Sequence, residues 1–283
     1  MNRKWTNFSV ALAVGFLAIA TTGCAKLRAR NELNKGVQAF KSAKYPEAVD
    51  RFKEAIRLDP TFRTARLYLA TAYMSQYIPG AESEDNFKMA AAAKEHFLKV
   101  LDEDPKNDVA LASMASLNFN EAQAVRDLAH KVKKLEEAQE WYKKLSEANP
   151  RNKEAFYSLG VIAWTKAYAA LGSAKAAIGM KAEDPVPIKD RKLREELRAS
   201  YWGIIADGMK NLETSLALDS DYDDAMAYLS LLYRQRADLA DSMDDYRKDS
   251  ATADDWLQKT LTTRKRRAGT LPAMGEAAPE AAK

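Results

Sequence analysis

The sequence predicts an all-α protein built as a solenoid of stacked helical hairpins. Only 11 of its 283 residues are glycine and 9 are proline, and long stretches rich in alanine, glutamate, lysine, leucine and arginine favour helices throughout. No segment alternates polar and apolar residues between hairpin turns, so a sheet is not expected. A sequence element that returns every 45 residues indicates a repeat architecture.

The repeated element ends in an acidic or amide residue followed by proline. The pair occurs at Asp59-Pro60, Asp104-Pro105 and Asn149-Pro150. Proline lacks an N–H and disfavours helical geometry in the residue before it, so each pair marks the end of a helix. The same small and large residues precede each proline: Ala48, Phe52 and Ala55; Ala93, Phe97 and Val100; Ala138, Tyr142 and Leu145. In such an array each repeat buries its apolar face against its neighbours.

Residues 1–23 have the pattern of a secretory signal peptide. Arg3 and Lys4 form a positive start, an apolar stretch follows, and small residues precede Cys24. This arrangement resembles the bacterial lipobox. The resemblance implies that Cys24 becomes the lipidated first residue of the mature protein, and that residues 24–30 are this cysteine and a short linker.

The lipobox resemblance also implies a location. A mature chain whose second residue is Ala25 rather than aspartate is expected at the outer membrane, facing the periplasm. Two alternatives stay open: Thr6–Ala25 carries no charge and has the length of a signal anchor that spans the bilayer, or an ordinary signal peptidase cleaves near Cys24. A single cysteine cannot form an internal disulfide, which favours lipidation as its role.

The first hairpin, residues 31–62, resembles the tetratricopeptide repeat. The residues that carry the resemblance are Gly36, Tyr45, Ala48, Phe52, Ala55 and Pro60, which fill six positions of the repeat's pattern. The resemblance implies pairs of antiparallel helices that stack into a right-handed superhelix. Four further units are predicted at 63–107, 108–152, 153–222 and 223–267.

Most of the predicted repeats are longer than the roughly 34 residues of the family. Three of them span 45 residues each, and the additional residues amount to about 16 Å of helix. We therefore expect lengthened hairpins that protrude from one edge of the array. The fourth unit has a longer insertion, in which Asp184–Pro187 forms a stiff turn and Asp190 caps a long second helix. This inserted hairpin is either an arm that binds a partner or an element that packs over its neighbours.

The small and large residues of each repeat predict how its helices pack. Small residues such as Gly36 and Ala48 are expected where the two helices of a hairpin cross closely, because a larger side chain would separate them. Five large residues are expected to fill the space against the next helix: Phe52, Phe97, Tyr142, Leu212 and Leu257.

The charge of the chain does not indicate a nucleic-acid partner. The formal net charge of +4 is mild, and the basic cluster Arg264–Arg267 is expected to be a solvated helix terminus. Asp219–Asp255 holds 11 aspartates against four basic residues. It is either a solvated helix face or an acidic surface for a basic partner. Residues 268–283 are rich in alanine and proline and are expected to be a disordered tail.

No motif in the sequence indicates an enzyme, a cofactor or a metal. The sequence contains no phosphate-binding loop, no glycine-rich dinucleotide motif and no nucleophile elbow. His96 and His130, the only histidines, lie on separate predicted helices without a second ligand nearby, so a zinc site is not expected. We therefore predict a non-enzymatic protein without a cofactor.

The tetratricopeptide resemblance implies a concave groove lined by the first helix of each hairpin. The positions that match this groove are Tyr68, Thr71, Met74, Ser113, Phe119, Asn120, Tyr157, Trp164, Tyr228 and Arg234. Rings beside amides and hydroxyls suit an extended or helical peptide. The alternative for each residue is ordinary packing against the adjacent helix. The clamp with which some members hold a terminal carboxylate is absent, because Leu33 and Val37 occupy its first two sites.

Together these features predict a membrane-anchored protein-interaction scaffold of the bacterial envelope. It would bind a protein or peptide partner in the groove, for example in the assembly of envelope or outer-membrane complexes, an expectation that rests on fold analogy. Two other functions stay open: an envelope enzyme with a site between the inserted hairpin and the groove, and a purely structural spacer. A cleft with a strongly perturbed carboxylate or histidine would favour the enzyme.

Overall fold

The protein is helical throughout the part that the structure describes. A computed structural model describes residues 24–270, and within that range it has ten helices and no strand. They are α1 (24–41), α2 (Tyr45–Leu58), α3 (Arg63–Met74), α4 (Glu84–Glu103), α5 (Asp108–Ala124), α6 (Leu128–Ala148), α7 (Lys153–Ala177), α8 (Arg191–Leu218), α9 (Asp223–Asp238) and α10 (Met243–Thr270). The all-α prediction is confirmed. None of these helices is long and apolar enough to cross a bilayer.

The helices form two compact units. The first runs to Arg126 and contains α1–α5, and the second starts at Asp127 and contains α6–α10. Residues 24–30 are not a linker, because they are already helical and form the first turns of α1. At the other end, the first three residues of the predicted tail still belong to α10. The predicted signal peptide and the rest of the tail lie outside the described residues.

Short polar side chains begin several of the helices. Asp190, predicted to cap α8, accepts a hydrogen bond from the N–H of Leu193 at 2.9 Å, so this prediction is confirmed. Each such cap satisfies an N–H that the first helical turn leaves without a partner. Four other helices begin in the same way, with caps at Ser83, Asn107, Asp127 and Asn152.

The helices that precede the recurring prolines end where the sequence predicts. The N–H of Asp59, the residue before Pro60, donates to the carbonyl of Ala55 at 3.0 Å and completes the last turn of α2. The next position is proline, which cannot donate, so the helix stops there. Asp104 and Asn149 end α4 and α6 through equivalent bonds to Val100 and Leu145.

In the first unit, Gly36 and Phe52 show why the repeat combines a small residue with a large one. Phe52 of α2 is fully buried, and a Cβ built at Gly36 of α1 would lie 2.5 Å from Cε1 of its ring. Any larger residue at position 36 would force the ring or the helix to move. Phe97 of α4 is buried to the same extent, so the core positions predicted for both phenylalanines are confirmed.

The loop between α3 and α4 is held by one amide side chain. Asn86 of α4 is 6% exposed. It accepts a hydrogen bond from the N–H of Ile78 at 2.7 Å and donates to the carbonyls of Ile78 and Ala81 at 2.8 and 2.9 Å. These bonds satisfy backbone groups that have no helix or strand to pair with. The hairpin therefore ends in an ordered loop. Ile78 and Phe87 remain exposed at this end.

The second unit repeats this packing with leucine in place of phenylalanine. A Cβ at Gly160 of α7 would collide with the side chain of Leu212 of α8, and one at Gly208 would lie 2.5 Å from the Cβ of Ala163. The two helices approach this closely because neither glycine carries a side chain. Leu212 is fully buried, as predicted. The core around it includes Ile188, Ile205, Leu229 and Leu232.

The inserted hairpin of the fourth repeat packs onto its neighbours. Nζ of Lys175, near the end of α7, bonds to Oδ1 of Asp238 on α9 at 2.8 Å and to the carbonyl of Ala182 at 2.9 Å. The N–H of Ile188 donates to the backbone carbonyl of Asp238 at 2.9 Å. These contacts tie the turn after α7 to the end of α9, which agrees with the packing alternative rather than with a free arm.

The prediction that Leu257 fills core space is wrong. Its side chain on α10 is 39% exposed, whereas Ala253 and Thr260 of the same helix are buried. In earlier repeats the large residue packs against a following helix, and within the described residues no helix follows α10. Tyr142, another of the five predicted core residues, is only partly buried.

The basic cluster Arg264–Arg267 is exposed at the end of α10, as predicted, and its arginines also form ion pairs. Arg264 donates to Asp223 at 2.7 Å and to Asp224 at 2.8 Å. Two further arginines bond to the same acidic start of α9, Arg266 to Asp221 and Arg267 to Asp223. Antiparallel packing of α9 and α10 brings these opposite charges together. Most of the remaining acidic segment is also paired, through Lys153, Lys175, Arg198, Arg234 and Arg236. Most of its aspartates are nevertheless exposed, which agrees with the alternative of a solvated helix face.

Replacing Asp223 by asparagine is expected to lower the free energy of unfolding by about 1–2 kcal/mol. Asp223 is buried, and the hydrogen bond from Arg264 holds the pKa of its carboxyl below the usual value. A lowered folded-state pKa means that the stabilisation is present above the unfolded-state pKa and is lost as the pH falls through the folded-state pKa. Urea unfolding at neutral and at acidic pH measures both effects.

The matched control for this substitution is Asp255→Asn, which changes an exposed aspartate of α10. It should leave the stability nearly unchanged at every pH. An equal loss in the two variants, or a loss at Asp223 that persists in acid, would contradict the assigned ion pairs.

Candidate functional site

Three aromatic residues of α7 lie on one face of the helix. Tyr157, Trp164 and Tyr168 follow one another at intervals of seven and four residues, which place side chains on the same side of an α-helix. The indole of Trp164 stacks on the ring of Tyr168, with centroids 4.9 Å apart and planes inclined by 25°. The helix can carry all three rings because it runs for 25 residues.

Tyr228 of α9 joins these rings from the neighbouring helix. It meets the ring of Tyr157 edge-on at 5.6 Å and that of Trp164 edge-on at 5.4 Å. Tyr222, directly before α9, adds a tilted contact with Tyr157 at 5.0 Å. Edge-to-face and offset pairs stabilise beyond simple burial. We call Tyr157, Trp164, Tyr168, Tyr222 and Tyr228 the aromatic cluster.

The aromatic cluster is open to solvent on one side. Tyr168 is 55% exposed, and the other four rings are partly exposed. Leu231, one helical turn from Tyr228, is exposed as well. Contiguous apolar area of this kind on a folded protein is typical of a surface that binds another molecule.

Three tyrosines of the cluster, Tyr157, Tyr222 and Tyr228, keep their protons at neutral pH. Burial raises the pKa of Tyr157, Tyr222 and Tyr228, and neighbouring acidic groups raise it further. Each phenol is therefore a hydrogen-bond donor. One of these donors is used within the protein, because Tyr222 donates to Oε2 of Glu154 at 2.5 Å.

Polar contacts fix the positions of the rings. Nζ of Lys153 lies 4.7 Å from the centroid of the Tyr222 ring and 2.5 Å from Oδ2 of Asp219. Gln235 of α9 is buried and donates from Nε2 to the backbone carbonyl of Trp164 at 3.1 Å. This bond joins α9 to α7 at the centre of the cluster, so the rings of the two helices are held at a constant spacing.

The fold that carries the aromatic cluster matches known proteins. Residues 33–108 match a family model described as tetratricopeptide repeat, and the helical hairpins continue through both units. This segment of the first unit is therefore identified as tetratricopeptide repeats. The predicted family and the solenoid fold class are thereby confirmed.

Solved structures show the same fold over most of the chain. A crystal structure of MamA protein matches it with a TM-score of 0.55 and 14% identity, over 88% of this chain and 98% of that chain. A structure of MamA from residue 41 to its end, from Desulfovibrio magneticus RS-1, matches with a TM-score of 0.51 and 14% identity, over 85% and 97%. At this level of identity the similarity is one of fold. No curated protein matches the sequence.

Three of the predicted groove residues come together. Tyr157, Trp164 and Tyr228 all belong to the aromatic cluster. Arg234 does not, because its guanidinium pairs with Asp254 of α10 at 2.6 Å. The repeat register therefore correctly predicts the centre of the cluster but wrongly assigns Arg234 to it.

Two members of the aromatic cluster were not predicted from the sequence. Tyr168 lies beyond the groove positions of a repeat of ordinary length, and Tyr222 is the last residue of the fourth predicted repeat, directly before α9. The spacing of four residues between Trp164 and Tyr168 is the signal that could have found the former. Tyr222 has no comparable signal, since its contact with Tyr157 depends on how α7 and α9 pack.

The predicted groove residues of the first unit form no such cluster. Tyr68 stacks on the buried ring of Phe52 at 5.5 Å, which agrees with the packing alternative. Thr71 donates to the carbonyl of Leu67 within its own helix at 2.9 Å. Aromatic rings in the described part of this unit meet in pairs only. The remaining predicted residues are partly buried on α3 and α5: Met74, Ser113, Phe119 and Asn120.

The second unit also contains a cavity beside the inserted hairpin. Its volume is about 400 Å³, and its lining is Ala182, Glu183, Asp184, Arg234, Asp238, Tyr246 and Ser250. Burial raises the pKa of Asp238, while the hydrogen bond from Lys175 acts in the opposite direction. Since Lys175 already bonds to this carboxylate, the pair is explained by its structural contacts.

The described residues do not assemble a metal site. Between residues 24 and 270, no three histidine, cysteine, aspartate or glutamate side chains are grouped so that they could hold an ion. His96 lies parallel to the ring of Tyr73 at 5.9 Å, and burial lowers its pKa. Nδ1 of His130 lies 2.7 Å from Asp127, which caps α6. Local contacts thus account for both histidines.

Proposed function

We propose that this protein is a membrane-anchored interaction scaffold of the bacterial envelope that binds a peptide or protein segment on its aromatic cluster. The observation that carries this proposal is a line of touching rings across two helices, from exposed Tyr168 through Trp164 and Tyr228 to Tyr157. The tetratricopeptide repeat fold suggests a protein or peptide as the partner.

An extended or helical peptide suits the chemistry of this surface. Tyrosine and tryptophan rings offer large, rigid contact areas and are enriched among the residues that carry most of the binding energy of interfaces. The phenols of Tyr157 and Tyr228, protonated at neutral pH, would donate hydrogen bonds to carbonyl groups of the peptide. Rings that bind side chains and donors that fix the register are the two requirements for peptide recognition.

An enzymatic function has less support. The carboxyl with a raised pKa, Asp238, borders a cavity, as a catalytic acid or base would. However, Lys175 bonds to that carboxyl and also to the carbonyl of Ala182. The Lys175–Asp238 pair thus holds the inserted hairpin in place and has a structural role. The exposed aromatic cluster has no such structural explanation and is better explained by binding.

The proposed attachment to the membrane rests on Cys24. This cysteine is exposed at the start of α1, and the residues before it in the sequence resemble a lipobox. Two or more acyl chains on one residue would give stable attachment, whereas a single chain gives marginal binding. Mass spectrometry of protein purified from membranes tests this proposal: an acylated Cys24 at the N-terminus is expected, and an unmodified thiol would contradict the anchor.

Replacing Tyr168 by serine is expected to weaken partner binding roughly thirtyfold, the effect of losing an interface residue worth about 2 kcal/mol. The substitution removes the most exposed ring of the cluster and leaves the buried core of α7 intact. Affinity capture from solubilised membranes identifies the partner, and titration with the purified partner then gives the dissociation constants.

The matched control is Phe87→Ser, because Phe87 is an aromatic residue of nearly equal exposure outside the cluster, 58% against 55%. Its variant should bind like the native protein. Unchanged binding by Tyr168→Ser, or the same weakening in both variants, would refute the aromatic cluster as the binding surface.

A further inference from the structure

The first two turns of α1 carry basic and apolar side chains that face solvent. The helix already includes Cys24, so the cysteine is joined directly to the folded unit. Lys26, Leu27, Arg28 and Arg30 are all exposed. Leu27 is 70% exposed, more than any other large apolar residue in the described part of the chain.

Leu27 lies on the side of α1 that is turned away from the protein. Ala29 is fully buried, and Gly36 lies against the ring of Phe52; these residues mark the packed side of the helix. At 3.6 residues per turn, Leu27 is about half a turn from Ala29. Cys24 is three residues before Leu27 and therefore shares its side of the helix.

The charge at this end of α1 is of one sign. Residues 24–31 contain three basic residues and no acidic residue, and none of the three basic side chains forms an ion pair with another described residue. Two acidic residues of α1 and α2 bond to other partners, although the charge of Arg28, after the bond from Arg57, also lowers the pKa of the Glu54 carboxyl. Glu32 bonds to Lys35 and Arg51, and Glu54 to Arg57.

We propose that these two turns bind the anionic phospholipid surface of the membrane. Leu27 inserts among the acyl chains, and Lys26, Arg28 and Arg30 lie beside the phosphate groups. The inference rests on the proposed lipid anchor at Cys24, which brings this end of the helix to the bilayer. An anionic lipid surface is the partner that fits, because it accepts an apolar side chain and at the same time pairs with basic groups that form no ion pair among the described residues.

This contact would orient the protein as well as attach it. A lipid on a flexible linker lets a domain turn freely, whereas Cys24 lies on a helix continuous with the first unit. With Leu27 and the basic side chains bound to the surface, the start of α1 has a defined position relative to the bilayer. The far end of the same helix then points away from it.

A labelled cysteine at position 27 tests the contact directly. The lipid would occupy Cys24, the chain's only cysteine, so the thiol of Leu27→Cys can be labelled selectively with a fluorophore. The purified lipoprotein is placed in vesicles of phosphatidylglycerol and phosphatidylcholine in equal parts, or of phosphatidylcholine alone, each with a nitroxide-labelled lipid as quencher. The matched control is Gln38→Cys, an exposed position on the same side of α1, about 16 Å farther along the helix.

Strong quenching is expected at position 27 in the anionic vesicles and little at position 38. At position 27 it should be weaker in phosphatidylcholine alone, and it should fall to that level in 1 M salt or when Lys26, Arg28 and Arg30 are all replaced by serine. Vesicle flotation and an unchanged melting temperature establish that the serine variant remains attached and folded.

This inference would be overturned, while the anchor stays in place, by either of two results. One is equal quenching at the two positions, and the other is quenching at position 27 that does not change with lipid charge or with the serine substitutions. A protein that does not float with vesicles of either kind would overturn the anchor itself and this inference with it. Flotation and quenching therefore separate the two failures.

Discussion

Replacing Phe52 by alanine is expected to lower the free energy of unfolding by about 3–5 kcal/mol. The ring, which belongs to α2, is fully buried, lies against Gly36 of α1 and stacks on Tyr68 of α3. Removing it therefore loses apolar burial on both sides and leaves a cavity. The protein cannot close this cavity cheaply, because the backbone of α1 at Gly36 is already in contact with the ring position.

Urea unfolding of Phe52→Ala and of Phe87→Ala separates burial from the chemical change. Phe87 is exposed, so the same substitution there should change the stability by less than about 0.5 kcal/mol. A small effect at Phe52 would mean that the proposed repeat register is wrong.

The contact with Gly36 gives a sharper version of this test. Gly36→Ala is expected to be strongly destabilising in the native background, because the new Cβ would lie 2.5 Å from the ring of Phe52. In the Phe52→Ala background the space is empty, and the same substitution should be tolerated. If the two effects simply add, Gly36 and Phe52 are not coupled, which would contradict the close helix crossing.

Replacing Lys175 by methionine is expected to cost about 3 kcal/mol of stability at neutral pH. The Lys175 side chain is 3% exposed and its partner Asp238 is 19% exposed. Methionine preserves the apolar stem of lysine but removes the charge, so the carboxylate of Asp238 is left without its partner. The lower end of the usual range applies, because the cavity beside Asp238 is large enough to admit water.

The pH dependence of the Lys175→Met variant has a defined sign. Burial already raises the pKa of Asp238, and the bond from Lys175 opposes this rise, so removing the lysine raises the pKa further. A raised folded-state pKa disfavours the folded state once the carboxyl is ionised. The stability loss should thus be full above the folded-state pKa and should shrink as the pH falls through it.

Asp238→Asn in the same background removes the unpaired charge and should restore part of the lost stability at neutral pH. The control Lys189→Met alters an exposed lysine of the same inserted segment and should have little effect. A loss that is independent of pH, and is not relieved by Asp238→Asn, would show that Lys175 stabilises by packing alone.

The core of the repeat was predictable because it depends on positions that recur in each helical hairpin. Gly36 with Phe52, and Gly160 with Leu212, follow from the spacing of small and large positions in one hairpin. The prediction that Leu257 is buried was wrong because its burial requires a following helix, which its own repeat does not contain. The pairing of Arg264–Arg267 with Asp221–Asp224 was not predicted from the sequence. The partners lie on two different helices, about 40 residues apart, and meet only when α9 and α10 fold back on each other.

The candidate site was predictable to a similar degree. Tyr157, Trp164 and Tyr228 occupy positions that the repeat pattern assigns to one face, so register alone brings them to the same surface. Tyr168 lies on the extension of α7, beyond the last position of a repeat of ordinary length, so the repeat pattern does not assign it to a face. Tyr222 depends on the packing of two helices, which a pattern along one helix does not contain.

The dependence of the α3–α4 loop on Asn86 determines where this hairpin tolerates change. One amide supplies three hydrogen bonds to the backbone of Ile78 and Ala81, so the loop needs no particular side chain at the positions that it holds. Additional residues inserted beside the exposed Glu82 would lie outside the bonded segment and should leave the hairpin ordered, whereas loss of Asn86 would release the whole loop. The sequence at this end of the molecule can thus change in length and composition, provided that Asn86 is retained.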